Sequence, residues 1–290
     1  MQVPARFEYE RATSVEEAVA LLGLMEDAQV VAGGHSLIPM MKLRLAVPGT
    51  LIDINDLTEL SYVRVAGDEL RIGALTRHAE LLAAPLAGEF FPLLHDAERV
   101  IADPVVRNRG TVGGSLCQAD PSEDLSAAFA ALRAVIVIQG SGGTRTVPAR
   151  EFYVGPYQTV LAPDELLTEV KVTIRPGSSS AYEKVERRVG DYAVGAAGAA
   201  AWLDGGTISE AGIGLTALGA EHYAAAEAEE FLRGAPATDA TFTEAGRIAA
   251  EHCNPATDQR GPAHYKKHLA AELTARVLRR AVVPIRGQGD

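Results

Sequence analysis

Two double-glycine segments, Gly33-Gly34-His35-Ser36 and Arg109-Gly110-Thr111-Val112-Gly113-Gly114-Ser115, constrain this chain more than any other feature. Paired glycines are needed where backbone takes positive φ or comes close to another surface. Successive main-chain N–H groups in such a turn form a concave anion site, and each segment here ends in a serine hydroxyl. Alone, one segment reads as a plain tight turn. Two of them, each following a strand or helix end, point to a nucleotide cofactor whose pyrophosphate lies between facing nests.

The surrounding pattern is mixed α and β. Ser14 with Glu17 is a capping box, and the spacing of Val15, Ala18, Val19 and Leu22 predicts a helix ending at Gly23. A buried strand over 29–32 then leads into the first glycine segment. Another strand is expected over 51–54, and a hairpin over 62–74 around Gly67-Asp68. A helix starting at Thr76 stops before Pro85; a second, over 92–102, ends at Asp103-Pro104, because the residue before proline avoids the helical region. After the second glycine loop come a helix over 124–132, a strand over 134–139, a turn at Ser141-Gly142-Gly143 and a strand over 166–174.

At roughly 150 residues per domain, 290 residues suggest two folding units. Pro176-Gly177-Ser178-Ser179-Ser180 reads as the linker between them, since small polar residues after Pro-Gly resist packing. The expected domains are 1–176, with subdomains of about 1–56 and 57–176, and 177–290. Alanine propensity would allow a helix over 193–203. Asp204-Gly205-Gly206 followed by a second apolar stretch makes a hairpin the preferred reading. Helical patterns follow over 224–232, 242–252 and 265–280.

A net charge of −11, from 27 basic and 38 acidic residues, argues against a nucleic-acid binder. Two cysteines, Cys117 and Cys253, are too few for an iron–sulfur cluster or a disulfide framework and fit a reducing cytoplasm. The N-terminal residues lack a signal-peptide core, and the longest apolar stretch, 193–203, is too short to span a bilayer. GxGxxG, GxxxxGK, HExxH and GxSxG are absent, and the histidines do not stand at metal-ligand spacing.

Ala32 through Pro39, Ile101-Ala102-Asp103 with the second glycine segment, Tyr182-Glu183-Lys184 with Arg188 through Ala193, and Asp258 through Tyr265 occur in one collinear order. These motifs resemble the FAD-binding medium subunits of molybdenum hydroxylases, in particular that of aerobic carbon monoxide dehydrogenase. The resemblance implies an α+β fold of the vanillyl-alcohol-oxidase flavin type: two α+β subdomains holding an extended FAD, and a C-terminal domain of antiparallel sheet with helices. It implies cofactor contacts from Ala32, Gly33, Gly34, His35, Ser36 and Leu37 in the first loop. Further contacts would come from Ala102 and from Thr111, Gly113, Gly114 and Ser115 in the second. Asp124, Leu167 and Lys184 would also face the cofactor, with Tyr192 against the isoalloxazine ring.

The same resemblance implies an electron-transfer subunit without catalytic or metal-ligating residues of its own. [2Fe-2S] clusters would sit on a small partner subunit and the molybdenum cofactor on a large one, in a dimer of heterotrimers. Quinone or dioxygen would be the acceptor. The complex would be cytoplasmic, with any membrane association arising through the assembly. Service to another hydroxylase acting on an aldehyde, nicotine or another heterocycle stays open, as do a stand-alone flavin oxidase and a nucleotide-binding assembly module. Local alternatives also stand: His35 bonding its own loop, Asp124 as a helix N-cap, Tyr192 as strand packing, Lys184 as a solvated charge, Arg107 and Arg109 as loop braces, and the cysteines as inert.

Overall fold

The computed structural model of the chain describes residues 3–286. The outer limits of the expected domains, residues 1 and 290, lie outside these. Near the N-terminus, Thr50–Asp53 forms the middle of a three-stranded parallel sheet, between Glu8–Arg11 and Ala28–Val31. The helix Val15–Leu24 crosses between strands, its Ser14 hydroxyl accepting from the Glu17 N–H. Its Ala18, Val19 and Leu22 share one buried cluster with Ile52 and Ile54. The strand Ala28–Val31 ends at the first glycine segment, so that loop sits at a strand terminus on the cleft.

A second, antiparallel sheet has the order Val63–Ala66, Glu69–Gly73, Glu165–Thr173, Val135–Gly140, Gly143–Pro148. Its centre is the strand latest in sequence, which pairs with both hairpins. Gly143–Pro148 has no sequence signal of its own because it is an edge strand with all but Val147 exposed. The helix expected from Thr76 begins at His78. The Thr76 hydroxyl instead donates to the Tyr62 carbonyl and accepts from the Tyr62 N–H, at 2.9 and 3.1 Å.

The third sheet joins Ser178–Val185, Gly195–Asp204 and Thr207–Thr216 in antiparallel order. The hairpin preferred over a helix is therefore what forms. The linker reading of the serines is corrected: they open a strand, Ser179 and Ser180 are buried, and Ser180 Oγ accepts from the Leu93 N–H at 3.2 Å. A small hydroxyl residue that finds a backbone donor packs well inside.

Alanine dominates the middle strand because helices cover both of its faces. Ala196, Ala200 and Trp202 join the core of the cofactor-side helices, while Ala197, Ala199 and Ala201 join that of the C-terminal helices Asp239–His252 and Ala263–Arg286. The adjacent strand approaches the fully buried helix Asp124–Ala131 backbone to backbone. A Cβ on Gly212 would stand 2.0 Å from the Ala131 carbonyl oxygen, and one on Gly214 only 1.8 Å from that of Ala127. This seam fixes where Asp124 points.

Candidate functional site

A cleft of about 720 Å³ runs between the parallel sheet, the antiparallel sheet and the start of the C-terminal unit. That volume lies in the upper part of the ~300–1,000 Å³ range usual for small-molecule and cofactor sites. The structure places every residue expected to touch the cofactor on its lining: Ala32 to Leu37, Ala102, Thr111, Gly113, Gly114, Ser115, Asp124, Leu167, Lys184 and Tyr192.

The two glycine segments meet here but differ in kind. Gly34 takes φ +75°, and a Cβ on Gly33 would fall 2.1 Å from the Arg109 carbonyl oxygen. Among the described residues, the N–H groups of Gly34, His35 and Ser36 have no acceptor, so they are free for an anion. His35 bonds its own loop, with Nδ1 3.0 Å from the Gly33 carbonyl oxygen. The expectation of a second nest is corrected. Thr111 caps the helix Val112–Gln118, which makes Gly113 and Gly114 its first turn. Its amides are already engaged: Val112 to Thr76 O, Gly113 to Ala74 O, Gly114 to Thr111 Oγ1 and Ser115 to Thr111 O. Gly113 is there for close packing, since a Cβ would lie 2.8 Å from that of Ala74. Gly114 presents bare backbone to the cleft.

Sequence reasoning missed the brace that joins the segments. The Arg77 guanidinium donates to the Arg109 carbonyl and to Asn55 Oδ1, while Asn55 Nδ2 donates to the Ala32 carbonyl at 2.7 Å. Bidentate donors of this kind suit a planar fork. Arg107 braces the Ile101 and Ala102 carbonyls in the same way, at 2.8 and 3.0 Å. Neither Arg77 nor Asn55 sits in a recognisable motif; only their positions after strands hinted at them.

The far wall carries buried charge. Lys184 is no solvated lysine: its side chain is 1% exposed, with Nζ 2.8 Å from Asp124 Oδ2 and 3.1 Å from the Val100 carbonyl oxygen. Tyr182 donates to Asp124 Oδ1 at 2.7 Å. Burial raises the Asp124 carboxyl, with Lys184 and Tyr182 pulling the other way. The N-cap of the helix Asp124–Ala131 is Glu123 and not Asp124, with its carboxylate accepting from the Leu125 and Ser126 N–H groups and from Ser115 Oγ. Burial, then the adjacent Asp124, push Glu123 up to about 8. His78, also on the lining, is buried with Nδ1 3.0 Å from the fully buried Glu98. Burial opposes its charge, but Glu98 outweighs this and holds the imidazole high.

Leu167 gives the floor an apolar side chain from the central antiparallel strand, and Tyr192 stands at the rim, 42% exposed. Cys117 opens into the cleft and Cys253 is buried in the C-terminal core. The arrangement fits an elongated dinucleotide: free amides for phosphate on one loop, bare glycine backbone along the lining, and a fixed cation and a rim aromatic ring contributed by the C-terminal unit.

Comparison with known proteins agrees. Residues 5–173 match the family model of the FAD binding domain in molybdopterin dehydrogenase, and residues 180–281 that of the CO dehydrogenase flavoprotein C-terminal domain. The chain is 41% identical over 281 residues to the carbon monoxide dehydrogenase medium chain of Hydrogenophaga pseudoflava, covering 96% of this chain and 98% of that one. It is 35% identical over 276 residues to the glyceraldehyde dehydrogenase medium chain of Sulfolobus acidocaldarius, covering 95% and 98%. A solved structure of carbon monoxide dehydrogenase from Hydrogenophaga pseudoflava, lacking the Mo-pyranopterin moiety, superposes with a TM-score of 0.93 at 43% identity, covering 96% of this chain and 98% of that one. The chain thus belongs to the FAD-binding medium subunits of the carbon monoxide dehydrogenase-type molybdenum hydroxylases, a family of oxidoreductases.

Proposed function

We propose that this subunit carries electrons from the [2Fe-2S] clusters of a small partner subunit to an external acceptor, in a complex whose large subunit holds the molybdenum cofactor. The observation behind this reading is the cleft itself, which combines phosphate-ready amides, a buried lysine and a rim tyrosine on one lining. FAD supplies two-electron and one-electron redox chemistry when bound. The chain's own residues do the rest. Gly34, His35 and Ser36 present amides to the diphosphate, Gly33 and Gly114 allow close approach, and Leu167 excludes water from the floor.

Lys184 contributes a positive charge that stays in place because Asp124 and the Val100 carbonyl hold Nζ. A cation so fixed favours added negative charge in the cleft. Tyr192 offers its ring face for offset stacking. We place the FAD unit in residues 1–176 and the C-terminal unit in 177–290, the whole assembling as a dimer of heterotrimers in the cytoplasm. Carbon monoxide is the proposed substrate of the complex, with quinone or dioxygen as acceptor. The similarity to glyceraldehyde dehydrogenase supports an aldehyde as the second reading. The test compares the complex before and after removal of FAD: substrate should still reduce the clusters, while acceptor reduction disappears and returns with added FAD. Acceptor reduction that persists in the flavin-free complex would sink the reading. Carbon monoxide and glyceraldehyde, offered separately, distinguish the substrates.

A further inference from the structure

The turn at Asp258-Gln259-Arg260-Gly261 lies outside the cleft lining, yet it is anchored with unusual care. Asp258 Oδ1 accepts from the Arg260 and Gly261 N–H groups at 2.8 and 3.2 Å. Its Oδ2 is 2.7 Å from Nζ of Lys266, whose side chain is only 4% exposed. Gly261 and Asp258 also exchange both main-chain hydrogen bonds. A turn this constrained fixes the start of its arginine side chain.

That side chain reaches the cleft rim. The Arg260 guanidinium carbon stands 5.6 Å from the centroid of the Tyr192 ring, within the range of a cation–π contact. Among the described residues Arg260 forms no ion pair, and its buried Nε has no hydrogen-bond partner. The ring is thus its evident side-chain contact among the described residues, with the Asp191 carboxylate near enough to feel its charge. A second tie runs beside the first: Arg187 donates to the Gln259 carbonyl at 3.4 Å and to Asp191 Oδ2 at 3.4 Å, and Asp191 Oδ1 accepts from the Tyr192 N–H at 2.8 Å. Gly190, just before, has φ +80°, and its missing Cβ would meet the Ala102 carbonyl oxygen at 2.6 Å. The tyrosine loop thus rests on Ala102 from one side and on the arginine turn from the other.

We infer that Arg260 is a positioning residue: it holds the Tyr192 ring at the cleft mouth and so sets how far the bound flavin is open to a second reactant. The inference rests on the proposed contact between Tyr192 and the flavin. It follows that loosening Arg260 changes access to the cofactor more than affinity for it, because the amides offered to phosphate belong to the separate Gly34-His35-Ser36 loop.

The experiment uses the full chain loaded with FAD, in the wild type, R260A, R260K and Y192A, each checked for folding by circular dichroism. Flavin fluorescence is titrated with iodide, and FAD affinity is measured separately. A cation–π contact of ordinary strength predicts that R260A raises the iodide quenching constant about two- to fivefold, with FAD affinity within about twofold of wild type on the same scale. R260K should lie between wild type and R260A. If Y192A raises quenching and R260A does not, or R260K is no closer to wild type than R260A, the positioning role is overturned while the Tyr192 contact stands. If Y192A with FAD bound leaves quenching unchanged, the Tyr192 contact itself falls and the inference with it.

Discussion

Replacing Lys184 with methionine should destabilise the chain in a pH-dependent way. The lysine side chain is 1% exposed, and its ammonium is shared by Asp124 at 2.8 Å, Glu186 at 3.6 Å and the Val100 carbonyl at 3.1 Å. Methionine keeps most of the volume and none of the charge. Removing one partner of a buried pair costs about 3–5 kcal/mol, because the remaining charge is left uncompensated. Tyr182 still donates to Asp124, so a loss of about 3 kcal/mol is expected. That is a large share of a typical stability of ~5–15 kcal/mol.

The sign with pH follows from Asp124. Burial raises its folded pKa above the ordinary 3.8, so its contribution is fully present below that value and is lost as pH rises through the folded pKa. Lysine opposes the rise, and without it the window moves upward. The deficit of K184M should therefore be larger at about pH 8 than at about pH 5. In urea unfolding of the FAD-free chain, the K184M/D124N double variant should lose clearly less than the two single variants together. A single-variant loss below about 1 kcal/mol, or strict additivity, would refute the reasoning.

Glu123→Gln should flatten the stability profile: the carboxyl titrates at about 8 in the fold against an ordinary 4.5, so its contribution is lost as pH rises across that interval, and urea midpoints should fall with pH less steeply in E123Q than in wild type. Equal slopes would contradict this. Gly214→Ala would drive a Cβ to within 1.8 Å of the Ala127 carbonyl, a backbone atom that cannot swing away; about 3 kcal/mol or more should be lost in thermal or urea melts. Gly33→Ala brings a Cβ to 2.1 Å from the Arg109 carbonyl and pushes the two glycine segments apart, so FAD affinity in a fluorescence titration should fall at least about tenfold. Unchanged affinity would mean that the meeting of these segments does not shape the site.

The cleft was legible in sequence because glycine needs are local. Gly33 and Gly34 declare a special backbone, and the family resemblance carries Asp124, Lys184 and Tyr192 to the same place. The function of the second segment was not legible: whether Gly113 and Gly114 form a nest or the first turn of a helix depends on Ala74 and Thr76, which accept the amides from a distant strand end. The serine linker failed for a related reason, since Ser180 looks solvent-seeking until the Leu93 amide reaches it. Arg77 and Asn55 were invisible because the loop atoms they brace are the Arg109 and Ala32 carbonyls, and carbonyls leave no trace in residue identity. The alanine strand was recoverable from its turn, whose Gly205 at φ +59° closes a hairpin that propensity alone would have made helix.

FAD in this cleft is the centre of the account, and an absorbance spectrum with cofactor extraction tests it most directly. The purified chain would be measured alone, after incubation with FAD, and after co-expression with its neighbouring subunits. Flavin bands and released FAD, in a ratio approaching one per chain, are the predicted result. Colourless protein in all three preparations would contradict it and return the two glycine segments to ordinary turns.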